Sequence, residues 1–278
     1  VCLIFAFALV SWGLGLPMRV PSGTAMFGDY LYSSGETFFT LGYGDVVPER
    51  GFGRALAVME SGTGFAFLAS IIGYLPLLSQ AFSRREVNIS MLDQRAGSPP
   101  TAAELLRRHA ADPERHELSE LLSDWERWSA ELLESHVSFP VLGLFRSQHD
   151  NQSWVSAMSA ILDACALVIA GIPRADVTQA RLTFAMARHA VVDMTHVYRL
   201  KPALGGPDRL PPDLLRRLRS ALAAANMPLT EGDEVDRKLA ELRAMYEPQI
   251  AALGDFLLMS VPGWLPSKRP QDNWQTLV

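Results

Sequence analysis

Apolar and polar positions divide the chain into two dissimilar parts. Residues 1–16 form one apolar run and residues 53–82 a second. At about 1.5 Å per helical residue, the second run can cross a hydrocarbon core of about 30 Å. The first would rise about 24 Å. It opens on Val1 with no basic stretch ahead of it, and so reads as a spanning helix short of its first turn and not as a signal peptide. Between the runs, residues 27–48 are too few and too polar to cross. They predict a re-entrant segment: a short helix over 27–39, carrying Phe27, Tyr30, Tyr32, Phe38 and Phe39, that stops where glycines begin. Beyond Phe82 the pattern becomes that of amphipathic helices, beginning at a capping box, Thr101 to Glu104, and continuing over 117–136, 152–171, 175–200, 212–226 and 233–259. Breaks such as Gly171-Ile172-Pro173 and Gly205-Gly206-Pro207 separate them. The fold class expected is an all-α membrane protein: two transmembrane helices around a re-entrant helix, then an all-α cytosolic bundle. A linker over 86–100, ending in Gly97-Ser98-Pro99-Pro100, divides residues 1–85 from a helical domain over 101–260 and a tail over 261–278.

Charge sharpens this division. The net charge is −5, yet residues 1–82 hold only Arg19, Arg50 and Arg54 as basic residues. Paired arginines in Ser83-Arg84-Arg85 assign that end of the second span, and all that follows it, to the cytoplasm. No basic stripe interleaved with aromatics is present, which excludes nucleic acid as a partner. The absence of strand alternation excludes a dinucleotide-binding domain and a cyclic-nucleotide barrel. Cys2 and Cys165 lie far apart in apolar contexts and indicate no disulfide framework.

Within the spans, Glu60 is the ionisable exception, and it reads either as a cavity charge or as a structural hydrogen-bonding group. Gly62, Ala66 and Ser70 give the same helix a narrow face. Gly64 and Pro76 are places where it can bend or pack closely, unless Pro76 marks where the straight helix ends. The apolar stretch 155–170 carries Asp163 at its centre, and predicts a buried core helix and not a third span.

Candidate chemistry lies in Thr40-Leu41-Gly42-Tyr43-Gly44-Asp45, between the spans. A dehydrated cation needs several oxygen ligands in a row, which successive backbone carbonyls supply if all point one way. That requires the chain to alternate between left- and right-handed regions, and glycine at every second position allows it. Thr40 adds a hydroxyl, and the helix before it directs its negative end toward the ion.

This segment resembles the selectivity filter of potassium channels, with Leu41 where valine or isoleucine is commoner. Glu36-Thr37, Pro48, Gly53-Arg54 and Gly64 extend the resemblance to the bacterial two-helix pore-loop potassium channels over residues 1–85. The resemblance implies passive potassium conduction across the cytoplasmic membrane, with no catalysis and no cofactor besides the transported ion. Thr40, Leu41, Gly42, Tyr43 and Gly44 would bind the ion. Glu36 and Asp45 would share a proton behind the filter, or Asp45 would act as a mouth charge. Gly64 and Pro76 are the candidate gating positions. One filter segment is a quarter of a ring, so a homotetramer in the lipid bilayer is implied, or a dimer if a second loop precedes Val1. The helical domain would modulate gating, through a regulatory ligand that the sequence does not name.

Three other readings remain open: a weakly selective cation channel, a pore fused to a metal-dependent sensor or enzyme, and a pore whose helical domain is a tetramer scaffold with no ligand. The second rests on His189, Asp193 and His196, which share one helix face, with His136, His149 and Asp150 as further ligands.

Overall fold

The computed structural model describes residues 1–149 and 151–266, and its helices fall into two compact units that part between Ser79 and Gln80. The first unit holds α1 (Cys2–Gly13), α2 (Phe27–Phe38) and the first part of α3 (Gly51–Ala96). A two-stranded antiparallel pair, β1 (Met18–Arg19) and β2 (Val47–Pro48), brackets α2, with Met18 opposite Pro48. Edge-on contacts of Phe5 and Trp12 with Phe27, at 5.6 and 5.5 Å between ring centroids, hold α1 to α2. The apolar part of α3 leaves Phe65, Ile72, Leu75 and Leu77 uncovered. Side chains of this size, exposed all round a helix of this length, fit a hydrocarbon solvent or other chains and not water.

The second unit comprises the remainder of α3, then α4 (Ala102–Arg108), α5 (His116–Ser138), a short 3-10 helix (Pro140–Leu144), α6 (Trp154–Gly171), α7 (Val177–Val197), α8 (Pro212–Ala224), α9 (Asp233–Ala244) and α10 (Glu247–Leu257). At its centre α6 is buried from Trp154 to Ala170 by α4, α5, α7, α9 and α10. The apolar stretch around Asp163 is therefore a core helix. Thr101, Ser153 and Asp176 cap α4, α6 and α7 by accepting from backbone N–H groups of the first turn. Glu104 does not reach back to complete the capping box, because its carboxylate accepts from Arg107 and Arg108.

Two boundaries differ from the sequence reading. Residues 86–96, expected as linker, continue α3 as a helix, and the break comes only at Gly97, whose φ is +81°. Arg85, Ile89, Leu92 and Ala96 recur at helical spacing and are all buried, so this stretch is an amphipathic core element of the second unit. The single helix expected over 233–259 is divided into α9 and α10 at Met245-Tyr246, because Pro248 has no N–H to continue a ladder and instead occupies the first turn of α10. Asp150 and residues 267–278, part of the expected tail, lie outside the described residues.

Candidate functional site

The re-entrant helix α2 has its first turn fixed by Asp29, whose carboxylate accepts from the Met26 N–H at 2.7 Å. At its other end the chain turns sharply. The Thr40 N–H donates to Thr37 O at 3.1 Å and the Leu41 N–H to Glu36 O at 2.8 Å, with Thr40 left-handed at φ +56°. Gly42 and Gly44 are left-handed as well, at +67° and +78°, while Leu41 and Tyr43 between them are not. From 40 to 44 positive φ thus recurs at every second residue. That alternation carries successive carbonyls to the same side of an extended segment. Thr40 takes this conformation without being glycine, which the motif alone did not indicate.

Behind the segment, α2 supplies a row of hydrogen bonds. Glu36, buried, accepts from the Gly44 N–H at 3.0 Å. Ser33 donates to Val46 O at 3.2 Å, and the Tyr32 hydroxyl donates to Asp45 Oδ1 at 3.3 Å. The structure therefore gives Glu36 and Asp45 separate donors in place of a shared proton between them. Sequence reasoning missed Tyr32 and Ser33. The available signal was their spacing: Tyr32 and Glu36 are four apart and Ser33 and Glu36 three apart, so three polar groups occupy one side of a helix that must satisfy them internally.

Glu60 lies on the far side of α2, where it is hydrogen-bonded to Ser34. Ser34 is also 2.8 Å from Ile4 O. A serine hydroxyl has one hydrogen, so Ser34 donates to Glu60 or to Ile4 O, the two acceptors within its reach. Of the two sequence readings the structural one holds, and Glu60 ties α3 to α2 and, through Ser34, to α1. A polar cavity of about 20 Å³, lined by Ser11, Tyr30, Ser33, Thr37 and Glu60, adjoins this contact and has room for one water molecule.

Gly64 has a packing role. A Cβ there would overlap the Phe38 carbonyl oxygen, so α3 passes this close to the C-terminal end of α2 only because residue 64 is glycine. Pro76 lies inside α3, which continues 20 residues past it to Ala96. It does not mark the helix end.

The proposed metal trio does not form a site. His189 and His196 are exposed, 3.4 and 4.0 Å from Asp193, on a solvated face of α7. Among the described residues no group of three metal-type side chains is placed to hold an ion. His136 is elsewhere, buried within the second unit, with Nδ1 2.8 Å from Leu132 O and Nε2 3.4 Å from Arg85. Burial, reinforced by the Arg85 charge, pulls its pKa down to about 4. His149 is exposed, and its sequence neighbour Asp150 lies outside the described residues.

Residues 1–76 match the ion channel family. The chain is also 26% identical over 204 residues to YdjJ, an uncharacterized membrane protein of Bacillus subtilis (strain 168), an alignment covering 72% of this chain and 58% of that protein. The chain thus spans a little over half the length of the curated relative it matches. No solved structure matches.

Proposed function

From a chain whose first 76 residues match the ion channel family, we propose a subunit of a potassium-selective channel, four copies of which bring residues 40–44 together around one ion path. The observation that carries this reading is the positive φ at Thr40, Gly42 and Gly44, at every second residue, with Leu41 and Tyr43 between them outside that region. A row of carbonyls so formed replaces the hydration shell of a cation. Residues 1–278 supply one such row, a quarter of a closed ring, so four rows would come from four copies. Leu41 and Tyr43, exposed by 56% and 72% in the single chain, are side chains of the size that neighbouring copies would cover. The donors from Glu36, Ser33 and Tyr32 side chains or to them brace the segment from behind. The second unit, cytoplasmic by the Arg84-Arg85 signal, modulates opening.

The test is the reversal potential of the full chain reconstituted in a planar bilayer between potassium and sodium solutions. It should follow the potassium gradient. A reversal that tracked sodium equally would replace this reading with a weakly selective cation channel.

A further inference from the structure

The 3-10 helix Pro140–Leu144 is attached to α3 at the point where its apolar stretch ends. Arg85 donates from one guanidinium nitrogen to Leu142 O at 2.8 Å and from the other to Phe145 O at 2.7 Å. The Phe82 and Phe145 rings meet at 6.0 Å, and the Arg85 guanidinium lies over the Phe82 ring at 5.0 Å. Phe82 is the last apolar residue of the span, and Arg85 follows about 4.5 Å further along the helix. The Pro140–Phe145 segment is thereby fixed at the level along α3 where hydrocarbon gives way to headgroups.

At that level the second unit exposes an apolar rim where polar side chains would be expected. Val137, Val141, Leu144 and Phe145 are all exposed, Leu144 by 56%. The end of α10 joins them. Arg146 donates to Leu257 O and Leu258 O at 3.2 and 3.0 Å, Tyr198 donates to Pro140 O at 2.7 Å, and its ring lies 5.3 Å from that of Phe256. Phe256 and Leu258 are exposed, the latter by 78%. The exposed guanidinium-bearing side chains of Arg84 and Arg146 flank the rim, and exposed Glu134 and Asp255 are the acidic residues nearest it in sequence. Large apolar side chains with arginines beside them suit an interfacial lipid layer: the former enter the acyl boundary and the latter meet phosphates.

We propose that this rim, centred on Val141, Leu144, Phe256 and Leu258, is a membrane-contact surface that seats the second unit on the phospholipid headgroup layer at the end of α3. The inference rests on the membrane reading of α3 and not on ion selectivity. Its occupant is lipid, because the rim is tied to α3 where the apolar run ends and sets exposed arginines beside apolar side chains, the pairing that suits a phosphate-bearing interface.

The experiment uses the full chain with Cys2→Ser, Cys165 being buried, and an environment-sensitive fluorophore on Leu144→Cys, Leu258→Cys or, as control, Leu182→Cys. Leu182 is exposed on α7, 16 residues and so about 24 Å along the helix from Tyr198. In nanodiscs of mixed anionic and zwitterionic phospholipid, spin-labelled lipid quenching near the headgroups should remove most of the fluorescence at 144 and 258 and little at 182. Equal, weak quenching at all three overturns the proposal. So does strong label-to-label coupling at 144 or 258 without lipid quenching, which would assign the rim to a neighbouring copy. Lipid quenching requires no ion flux: unquenched labels on a conducting channel sink only this inference, and quenched labels on a non-conducting protein sink only the channel reading.

Discussion

A single added methyl group tests the contact between α3 and the re-entrant helix. At Gly64 it would overlap the Phe38 carbonyl, whereas at Gly62, two residues earlier, it would meet nothing within 4 Å. Overpacking against backbone costs about 1–3 kcal/mol or more, since no side-chain rotation relieves it. Gly64→Ala should therefore abolish or sharply reduce conduction, and Gly62→Ala should retain it. Equal currents from both variants would contradict the packing assignment and restore the hinge. Glu36 gives a second test. Glu36→Ala removes the acceptor of the Gly44 N–H while leaving the carbonyls at 40–44 in place, so current decay during sustained opening should change with little change in reversal potential. Tyr32→Phe, which loses only the bond to Asp45, should alter decay less. A third residue responds to pH. The folded-state pKa of His136 is about 4, below its ordinary 6.5. Unfolded chains then bind the proton that folded chains exclude, so stability is full above about pH 6.5 and falls on acidification toward pH 4. At about 1.36 kcal/mol per pKa unit the loss is on the order of 3 kcal/mol. Melting followed by tryptophan fluorescence in detergent should show it, and His136→Gln should flatten the dependence. The turn at Thr40–Gly44 was legible in the sequence, because its geometry is local and glycine reports it directly. The partners of Glu36 were not, because which of several nearby donors reaches a carboxylate depends on how tightly α2 and the returning chain approach.

Elements were legible where one signal dominated and were misread where two competed. In α6 the composition of a span competed with one central carboxylate, and the carboxylate decided correctly: Asp163 accepts both guanidinium nitrogens of Arg209, at 3.2 and 2.7 Å, and the Tyr246 hydroxyl at 2.5 Å. Arg209 also donates to Ser159 Oγ, Glu247 and Pro262 O, so the loop before α8 and the strap after α10 converge on one buried charge pair. Breaking such a pair from the Asp163 side removes the buried counter-ion of Arg209 and leaves it only Glu247, a loss of up to about 3–5 kcal/mol. Asp163→Asn should lower the thermal midpoint of the full chain markedly. A double variant, Asp163→Leu with Arg209→Met, should recover part of the loss because no charge is stranded. If the single variant melted like the parent protein, the network would not be the keystone of the α6 core. In residues 86–96 the opposite error arose. Gly97-Ser98-Pro99-Pro100 is a strong break, and its influence was extended backwards over an amphipathic turn whose apolar residues, Ile89, Leu92 and Ala96, needed a partner face that sequence alone does not display. On α7 the spacing of His189, Asp193 and His196 was real, but a shared face says nothing about whether that face is covered.

For the molecule as a whole, the continuity of α3 sets the terms on which the second unit can act on the first. Ion choice depends on oxygens within a few ångströms of the ion, which the proposed function assigns to residues 40–44. Gate bias is different, since α3 runs unbroken from Gly51 to Ala96 and its last turns belong to the core of the second unit. Arg85 is the most richly hydrogen-bonded side chain among the buried residues of this stretch, Arg85, Ile89, Leu92 and Ala96. It is buried, and its donors are divided among Glu86, Leu142 O and Phe145 O, with His136 Nε2 beside it. Burial draws its pKa down, and the adjacent Glu86 carboxylate opposes that shift. Deleting the second unit would be a poor test, because the cut would strand Arg85, Ile89 and Leu92 without their packing partners. Arg85→Met is cleaner. It keeps the unbranched stem, removes the donors, and leaves the buried Leu142 carbonyl short of a partner at about 1–3 kcal/mol, while the more accessible Phe145 carbonyl can turn to water. The helix is then released from the Pro140–Phe145 segment while the chain stays whole. The expected result is an unchanged reversal potential with an open probability that departs from that of the parent protein, and Arg85→Lys, which keeps a donor but not the fork, should lie between the two. Single-channel recording separates these quantities. A correctly assembled Arg85→Met channel whose open probability matched the parent across voltage and pH would show that the second unit does not bias the gate through α3.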